Sequence, residues 1–272
     1  MADLSAKRWS MTVLIYTAFS LLPIYWLIIL SFQPNGSSEQ SANLWPDPIS
    51  LENYLYIFSQ DNWIAGYRNA VIYVAMNIVL TLVVSVPAAY AFSRFRFLGS
   101  DHAFFFAFIF RLIPPAIMII PLVQMFATGG LMDTHFAVAA AHCLFTVPIA
   151  IWILEGFISS IPREIEETAA VDGYHPVMIF FKFLLPQIRT GIGVAAFFSF
   201  MFSWVELIIA NALTTVNAKP IGVVMRLVAE PLGFVHIGIS SAASILMLIP
   251  GLIFAILLRK HLVRGFSMGR VS

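Results

Sequence analysis

Residues 155–189 read EGFISSIPREIEETAAVDGYHPVMIFFKFLLPQIR, a run that gathers Glu155, Arg163, Glu164, Glu166, Glu167, Asp172, Lys182 and Arg189 between two long apolar stretches. Pro162 suits the first turn of a helix, where its missing N–H has no partner. Glu164, Glu166 and Glu167 follow where carboxylates favour the positive end of the helix dipole. Gly173 fits a helix stop, being free to take positive φ. His175-Pro176 starts a second short helix that runs to Leu184, and Leu185-Pro186 ends it. Two short helices joined at a glycine make a compact knob. The same residues also fit an amphipathic connector lying on a membrane surface.

The flanks decide which solvent surrounds this segment. Of 272 residues, 60% are apolar and 11% charged, against roughly 45–50% and about 25% in soluble domains. A soluble fold of this size has too little interior to hide that much apolar surface, whereas a lipid-facing one needs it. The net charge of +1 gives no nucleic-acid footprint. A single cysteine, Cys143, excludes an intramolecular disulfide framework and a thiolate-rich metal site.

A membrane-spanning helix needs about 20 mostly apolar residues, and charges mark the gaps. Six spans are expected, at 11–32, 69–93, 103–127, 134–154, 190–212 and 236–258. Residues 1–10 and 259–272 are then terminal tails, and 155–189 is the one long connection on its side. The first span follows Lys7 and Arg8 as a signal peptide would. Its apolar stretch exceeds the usual signal core and no small-residue cleavage site follows, so a retained helix is expected. With the N-terminus inside, Lys7, Arg8, Arg94, Arg96, Arg163, Lys182, Arg189, Arg259, Lys260, Arg264 and Arg270 fall in cytoplasmic segments. Only Arg68, Lys219 and Arg226 fall outside, so the positive-inside rule places both termini in the cytoplasm. The fold class expected is an all-α membrane protein with a cytoplasmic two-helix loop between its fourth and fifth spans. Of the outer segments, 33–68 has the prolines and aromatics of an ordered cap, and 213–235 reads as a loop with a short helix near Ile221 to Val228. Neither an internal repeat nor an inverted-repeat signature of the secondary-transporter kind is present.

Glu167-Thr168-Ala169, then three residues, Gly173, nine residues and Phe183-Leu184-Leu185-Pro186 resembles the EAA signature of ABC importer permeases. Thr168 stands where the family has alanine and Phe183 where it has isoleucine; the spacing is intact. Other segments are similar to the maltose-type (carbohydrate) branch. They are Ser31-Phe32-Gln33-Pro34, Leu51-Glu52-Asn53-Tyr54, Ala88-Ala89-Tyr90-Ala91-Phe92-Ser93-Arg94, Gly130-Leu131-Met132-Asp133-Thr134 and the close through Arg264-Gly265. The resemblance covers essentially the whole chain. It implies that the first short helix docks in a cleft on a separate ATP-binding subunit, with Ala169 and Ala170 allowing close approach and Glu167 pairing with a basic group there. Glu166, Asp172, Gly173, Leu185 and Pro186 belong to the same implied coupling element. It further implies two ATP-binding subunits, a second homologous permease chain forming a heterodimer, and an extracytoplasmic substrate-binding protein, in a bacterial inner membrane. No cofactor is expected on this chain: Gly-Lys occurs nowhere in it, so the phosphate-cradling loop is absent and ATP and Mg belong to the partner subunits.

Polar groups inside spans are functional candidates by default. Glu206 falls about 16 residues into the fifth span, roughly 24 Å from its start at about 1.5 Å per residue. Trp204-Val205-Glu206-Leu207 occupies the place of the family's Trp-Asn-Glu-Phe. A carboxylate beside an indole suits a sugar or polyol, accepting hydroxyl hydrogen bonds while the ring stacks on C–H groups. The competing reading has Glu206 bonding a neighbouring helix or capping local backbone. Asn211 and Asn77 are further candidates for the path. Arg111 reads as structural, snorkelling to headgroups or pairing with an acid. Pro114, Pro115 and Pro121 interrupt the third span and make it a candidate gate. His135, His142 and Cys143 lack metal-ligand spacing and read as core or interfacial residues, and no catalytic constellation is visible. The expected function is therefore permease subunit, not enzyme, of an ATP-driven importer for a sugar or polyol such as glycerol or a phosphorylated relative. Residues 214–235 would meet the binding protein. The rival is an ion-coupled transporter working as a dimer with Glu206 as proton carrier, which leaves the EAA-like loop unexplained.

Overall fold

The computed structural model describes residues 2–34, 45, 48–110, 112–229 and 237–268, and among these there are helices and turns and no strand. In chain order the helices are α1 (Ala2–Ser31), α2 (Glu52–Ser59), α3 (Asp61–Arg94), α4 (Ser100–Phe110), a 3-10 turn at Pro115–Met118, α5 (Ile119–Thr128) and α6 (His135–Ser159). Then come α7 (Glu164–Val171), α8 (Pro176–Ile179), a π turn at Phe180–Leu184 and α9 (Leu185–Gln187). The chain closes with α10 (Arg189–Val205), α11 (Ile208–Leu213), α12 (Ile221–Ala229) and α13 (Ile237–Met268). Among the described residues, four stretches are long and apolar enough to cross a membrane: Val13–Ser31, Asp61–Arg94, His135–Ser159 and Ile237–Lys260. A fifth is added if Pro176–Gln187 and Arg189–Val205 count as one span bent by 74°.

The chain divides into two compact units. The first comprises Met1–Ile64 and Val224–Pro250. In it α1 is apolar on every side, and Leu14, Ile15, Tyr16 and Phe19 are all exposed, as befits a helix solvated by lipid rather than by a protein core. Its end is fixed by α2: Asn53 is fully buried and donates to Ser31 O at 3.0 Å and Gln33 O at 2.8 Å, while Tyr54 Oη donates to Ser31 Oγ at 2.8 Å.

The second unit comprises Ala65–Val223 and Gly251–Ser272. Its core helix is α6, which starts on a Thr134 cap, the side chain accepting from Ala137 N. Its two halves face different neighbours. Ala150, Ile151, Leu154 and Ile158 pack with Val86 and Ala89 of α3, with Leu184 and Ile188 below the bend, and with Ala195 of α10. α10 lies close on α6 because Gly191 faces Phe157; a Cβ at 191 would sit 2.7 Å from the ring. Phe200 of α10 stacks on Phe254 of α13 with centroids 4.4 Å apart.

The third expected span is interrupted at Pro114 and Pro115, and four other features depart from the sequence-based expectations. In the third span α4 stops at Phe110 and the chain resumes as a 3-10 turn with Pro115 at its start and Pro114 extended before it. Pro121 breaks nothing, because it is the third residue of α5, where a missing N–H costs least. The fifth span is also divided, with Glu206 in extended conformation between α10 and α11 rather than inside a helix. Leu185-Pro186 does not end the second short helix. Leu185 N–H reaches back to Phe180 O in the widened π turn, one residue before the proline that has no N–H, and the chain continues to Gln187. Pro162 precedes α7, whose cap position is Arg163. Arg111 and part of the 213–235 loop, residues 230–235, lie outside the described residues.

Candidate functional site

The knob is built by a glycine-terminated helix stop. Gly173 has φ +85°, Tyr174 N–H bonds Ala169 O at 3.1 Å and Gly173 N–H bonds Ala170 O at 3.0 Å, the paired bonds of a Schellman motif. No atom would meet a Cβ at 173, so the glycine serves backbone conformation alone. α8 then starts with Pro176 at its first turn and the His175 ring accepting from Val177 N. Phe180, Leu184 and Ile188 anchor the knob in the α3–α6 core. Its outward side carries Glu167, Ala170, Asp172 and Pro186, together with the exposed apolar side chains Val171, Val177, Met178 and Phe181. Ala169 faces inward and is buried, and Leu185 is half-buried. Glu166 also faces inward. Its Oε1 accepts from Arg94 Nε at 2.6 Å and its Oε2 from Tyr90 Oη at 2.8 Å, while Arg94 Nη2 donates to Ile161 O at 3.0 Å.

A second set of polar groups lies inside the helical layer. Glu206 Oε1 and Oε2 accept from the backbone N–H groups of Ile208, Ile209 and Ala210 at 2.8–3.3 Å, capping α11. His142 Nε2 faces Glu206 Oε2 at 3.1 Å and Nδ1 faces Ser203 Oγ at 2.8 Å. A hydrolytic triad turns its imidazole the other way, Nε2 to serine and Nδ1 to acid, and here Ser203 and His142 are wholly buried. The arrangement joins α6 to the break in the fifth span. One turn further, Asn77 of α3 donates to Ala139 O at 3.1 Å and Thr146 Oγ1 at 3.2 Å, and Thr81 and Thr146 hydroxyls lie 2.7 Å apart. Trp204 is buried and stacks on Phe200 with planes 11° apart. Asn211 is exposed.

The connection between α5 and α6 holds a third constellation. Asp133 is the one non-glycine residue with positive φ among the described residues, at 58°. Its carboxylate accepts from the backbone N–H groups of Thr215, Val216, Asn217 and Ala218 and from Asn217 Nδ2, all at 2.9–3.1 Å. Desolvation pushes its pKa up, but the four backbone donors outweigh that and hold the carboxyl well below the usual carboxylate range. Beside it, Asn69 Nδ2 donates to Asn217 O at 2.9 Å and Lys219 O at 3.1 Å, and Asn69 Oδ1 meets His135 Nε2 at 3.0 Å. Sequence reading missed the roles of Arg94, Tyr90, His142, Asp133 and Asn69. Arg94, Tyr90 and Asp133 did stand inside the family-like segments, whereas His142 and Asn69 carry no local signal.

The chain belongs to the family described as binding-protein-dependent transport system inner membrane component, which matches residues 63–268. It is 28% identical over 274 residues to the trehalose transport system permease protein SugB of Mycobacterium tuberculosis, covering 98% of each chain. It is 27% identical over 255 residues to the trehalose/maltose transport system permease protein MalG of Thermococcus litoralis, covering 93% of this chain and 91% of that one. Among solved structures, a chain of a bacterial ABC transporter involved in the import of the acidic polysaccharide alginate superposes with a TM-score of 0.78 at 20% identity, over 95% of this chain and 96% of that one.

Proposed function

We propose that this chain is the permease subunit of an ATP-driven importer for a sugar or polyol. It forms half of the translocation pathway with a second, homologous permease chain and is not itself an enzyme. Energy comes from two separate ATP-binding subunits through residues 155–189, and substrate comes from an extracytoplasmic binding protein that the 214–235 loop approaches. The proposed topology has six spans with both termini in the cytoplasm, the two divided spans each counting once, in a bacterial inner membrane. The observation that carries the reading is the knob. Exposed apolar residues sit at the tip of a short helix pair whose other side is bolted into the membrane core, an arrangement suited to docking another protein.

Glu167, Ala170, Asp172, Pro186 and the Gly173 turn face outward for that contact, while Glu166, Ala169 and Leu185 support it. Asn211 is the path candidate with an open side chain; Glu206, Asn77 and Trp204 shape the path by holding its helices. Pro114 and Pro115 mark the gate. The sugar class draws on the two carbohydrate-transporting relatives. Against proton carriage by Glu206 stands the engagement of both its oxygens by backbone N–H groups and His142. The test is uptake by proteoliposomes holding this chain with its partner permease and ATPase subunits, fed by the cognate binding protein. ATP-dependent uptake abolished by a hydrolysis-dead ATPase subunit is expected; uptake that persists would overturn the reading.

A further inference from the structure

α3 is fastened at both ends to the two segments expected to meet different proteins. Near its C-terminal end, Arg94 and Tyr90 hold both oxygens of Glu166 on α7, and the Arg94–Glu166 pair is largely removed from solvent, at 7% and 14% side-chain exposure. The Tyr90 ring also meets Phe180 of the π turn edge-on at 5.2 Å, so α3 grips both arms of the knob. Toward the other end, Asn69 is buried and closes the 214–219 loop through Asn217 O and Lys219 O. Asp133 clasps the same loop from the opposite strand of chain. Between these fastenings α3 is one unbroken helix, about 38 Å long from Asn69 to Arg94 at about 1.5 Å per residue. Midway, Asn77 and Thr81 tie it to α6. Pro87 removes one backbone hydrogen bond within this stretch, but Val86 and Ala89 beside it are packed into the α6 core, so the helix is held across the proline and a displacement at one fastening appears at the other.

We infer that α3 is a tie rod through which the position of the α7 knob sets the position of the 214–219 loop, with Arg94, Tyr90 and Asn69 as its positioning residues. This rests on the proposed function, which supplies the ATPase at one end and the binding protein at the other. The test uses the whole reconstituted transporter and reads the ratio of binding-protein-stimulated to basal ATPase activity. Glu166→Gln and Asn69→Ala should each lower that ratio about fivefold or more, the lower range of coupling between distant sites. The double variant should fall no further than the worse single one, because both cut the same connection. Tyr90→Phe, which removes one hydroxyl, gives a graded loss without endangering assembly. A nitroxide at Val216→Cys, in a Cys143→Ala background, should change mobility on ATP binding, and Glu166→Gln should abolish that response. Unchanged ratios, or losses that multiply in the double variant, would overturn the tie rod. A wild-type complex that shows no stimulation at all would instead overturn the functional reading beneath it.

Discussion

Replacing Glu206 with alanine separates a structural carboxylate from a substrate-binding one. Both oxygens are committed: they accept from Ile208, Ile209 and Ala210 N–H groups, and Oε2 also faces His142. Removing them strips the cap from α11, worth about 1 kcal/mol. It also leaves buried donors unpaired at roughly 1–3 kcal/mol each, two of which, Ile209 N and His142 Nε2, are deeply buried. Partial relaxation of the freed loop keeps the sum at about 3–5 kcal/mol. At about 2 °C per kcal/mol for a chain of this size, the midpoint should fall by roughly 6–10 °C. Glu206→Gln keeps one acceptor oxygen and should lose less than half of that. The assay is thermal unfolding of the purified protein in detergent, followed by monodispersity, alongside uptake in proteoliposomes. A Glu206→Ala protein as stable as wild type yet unable to transport would refute the capping account and return the carboxylate to the substrate path.

Three other perturbations have defined outcomes. At Gly173 the left-handed backbone with open space around it predicts the order Gly, Asn, Ala, Val for ATPase-coupled uptake, with valine costing about 1–2 kcal/mol locally; equal uptake across the series would remove the turn from the coupling element. Gly191→Leu should destabilise by roughly 1–3 kcal/mol through collision with Phe157, and Phe157→Ala should restore part of the loss in a double-mutant melt. For Asp133, whose folded pKa lies below its ordinary value, stabilisation of the loop is complete above the ordinary carboxylate pKa of about 4 and is lost as pH falls through the lower folded value. Hydrogen exchange at Thr215–Ala218, corrected for intrinsic rate, should therefore accelerate on acidification. Asp133→Asn should flatten that response, and an unchanged acid response would assign it to another group.

What the sequence disclosed and what it concealed follow from the range of the interactions. α1 and α13 announce themselves because lipid-exposed helices need unbroken apolar stretches, and nothing beyond the chain's own composition enters that judgement. The Gly173 stop is equally local, since one residue supplies the φ. The division of the fifth span at Glu206 was not legible: capping of local backbone was one of two readings its sequence left open, and its donors at 208–210 belong to the folded chain. Arg94 counted as a basic residue for topology, and its partnership with Glu166 spans 72 positions of chain. Asp133 looked like part of a turn, though most of its partners lie more than 80 residues away. Pairings of that separation belong to the folded layer and leave no mark in local spacing.

The 74° bend between Pro176–Gln187 and Arg189–Val205 makes a crank of unequal arms. The short arm of 12 residues reaches about 18 Å and the long arm of 17 residues about 25 Å at about 1.5 Å per residue. Were the two arms to turn as one piece about the bend, a displacement of about 2 Å at the tip would become roughly 3 Å where the long arm ends. That end is the Glu206 break. Moved in that way, the pair would deliver its largest displacement at the joint where the helix is already divided.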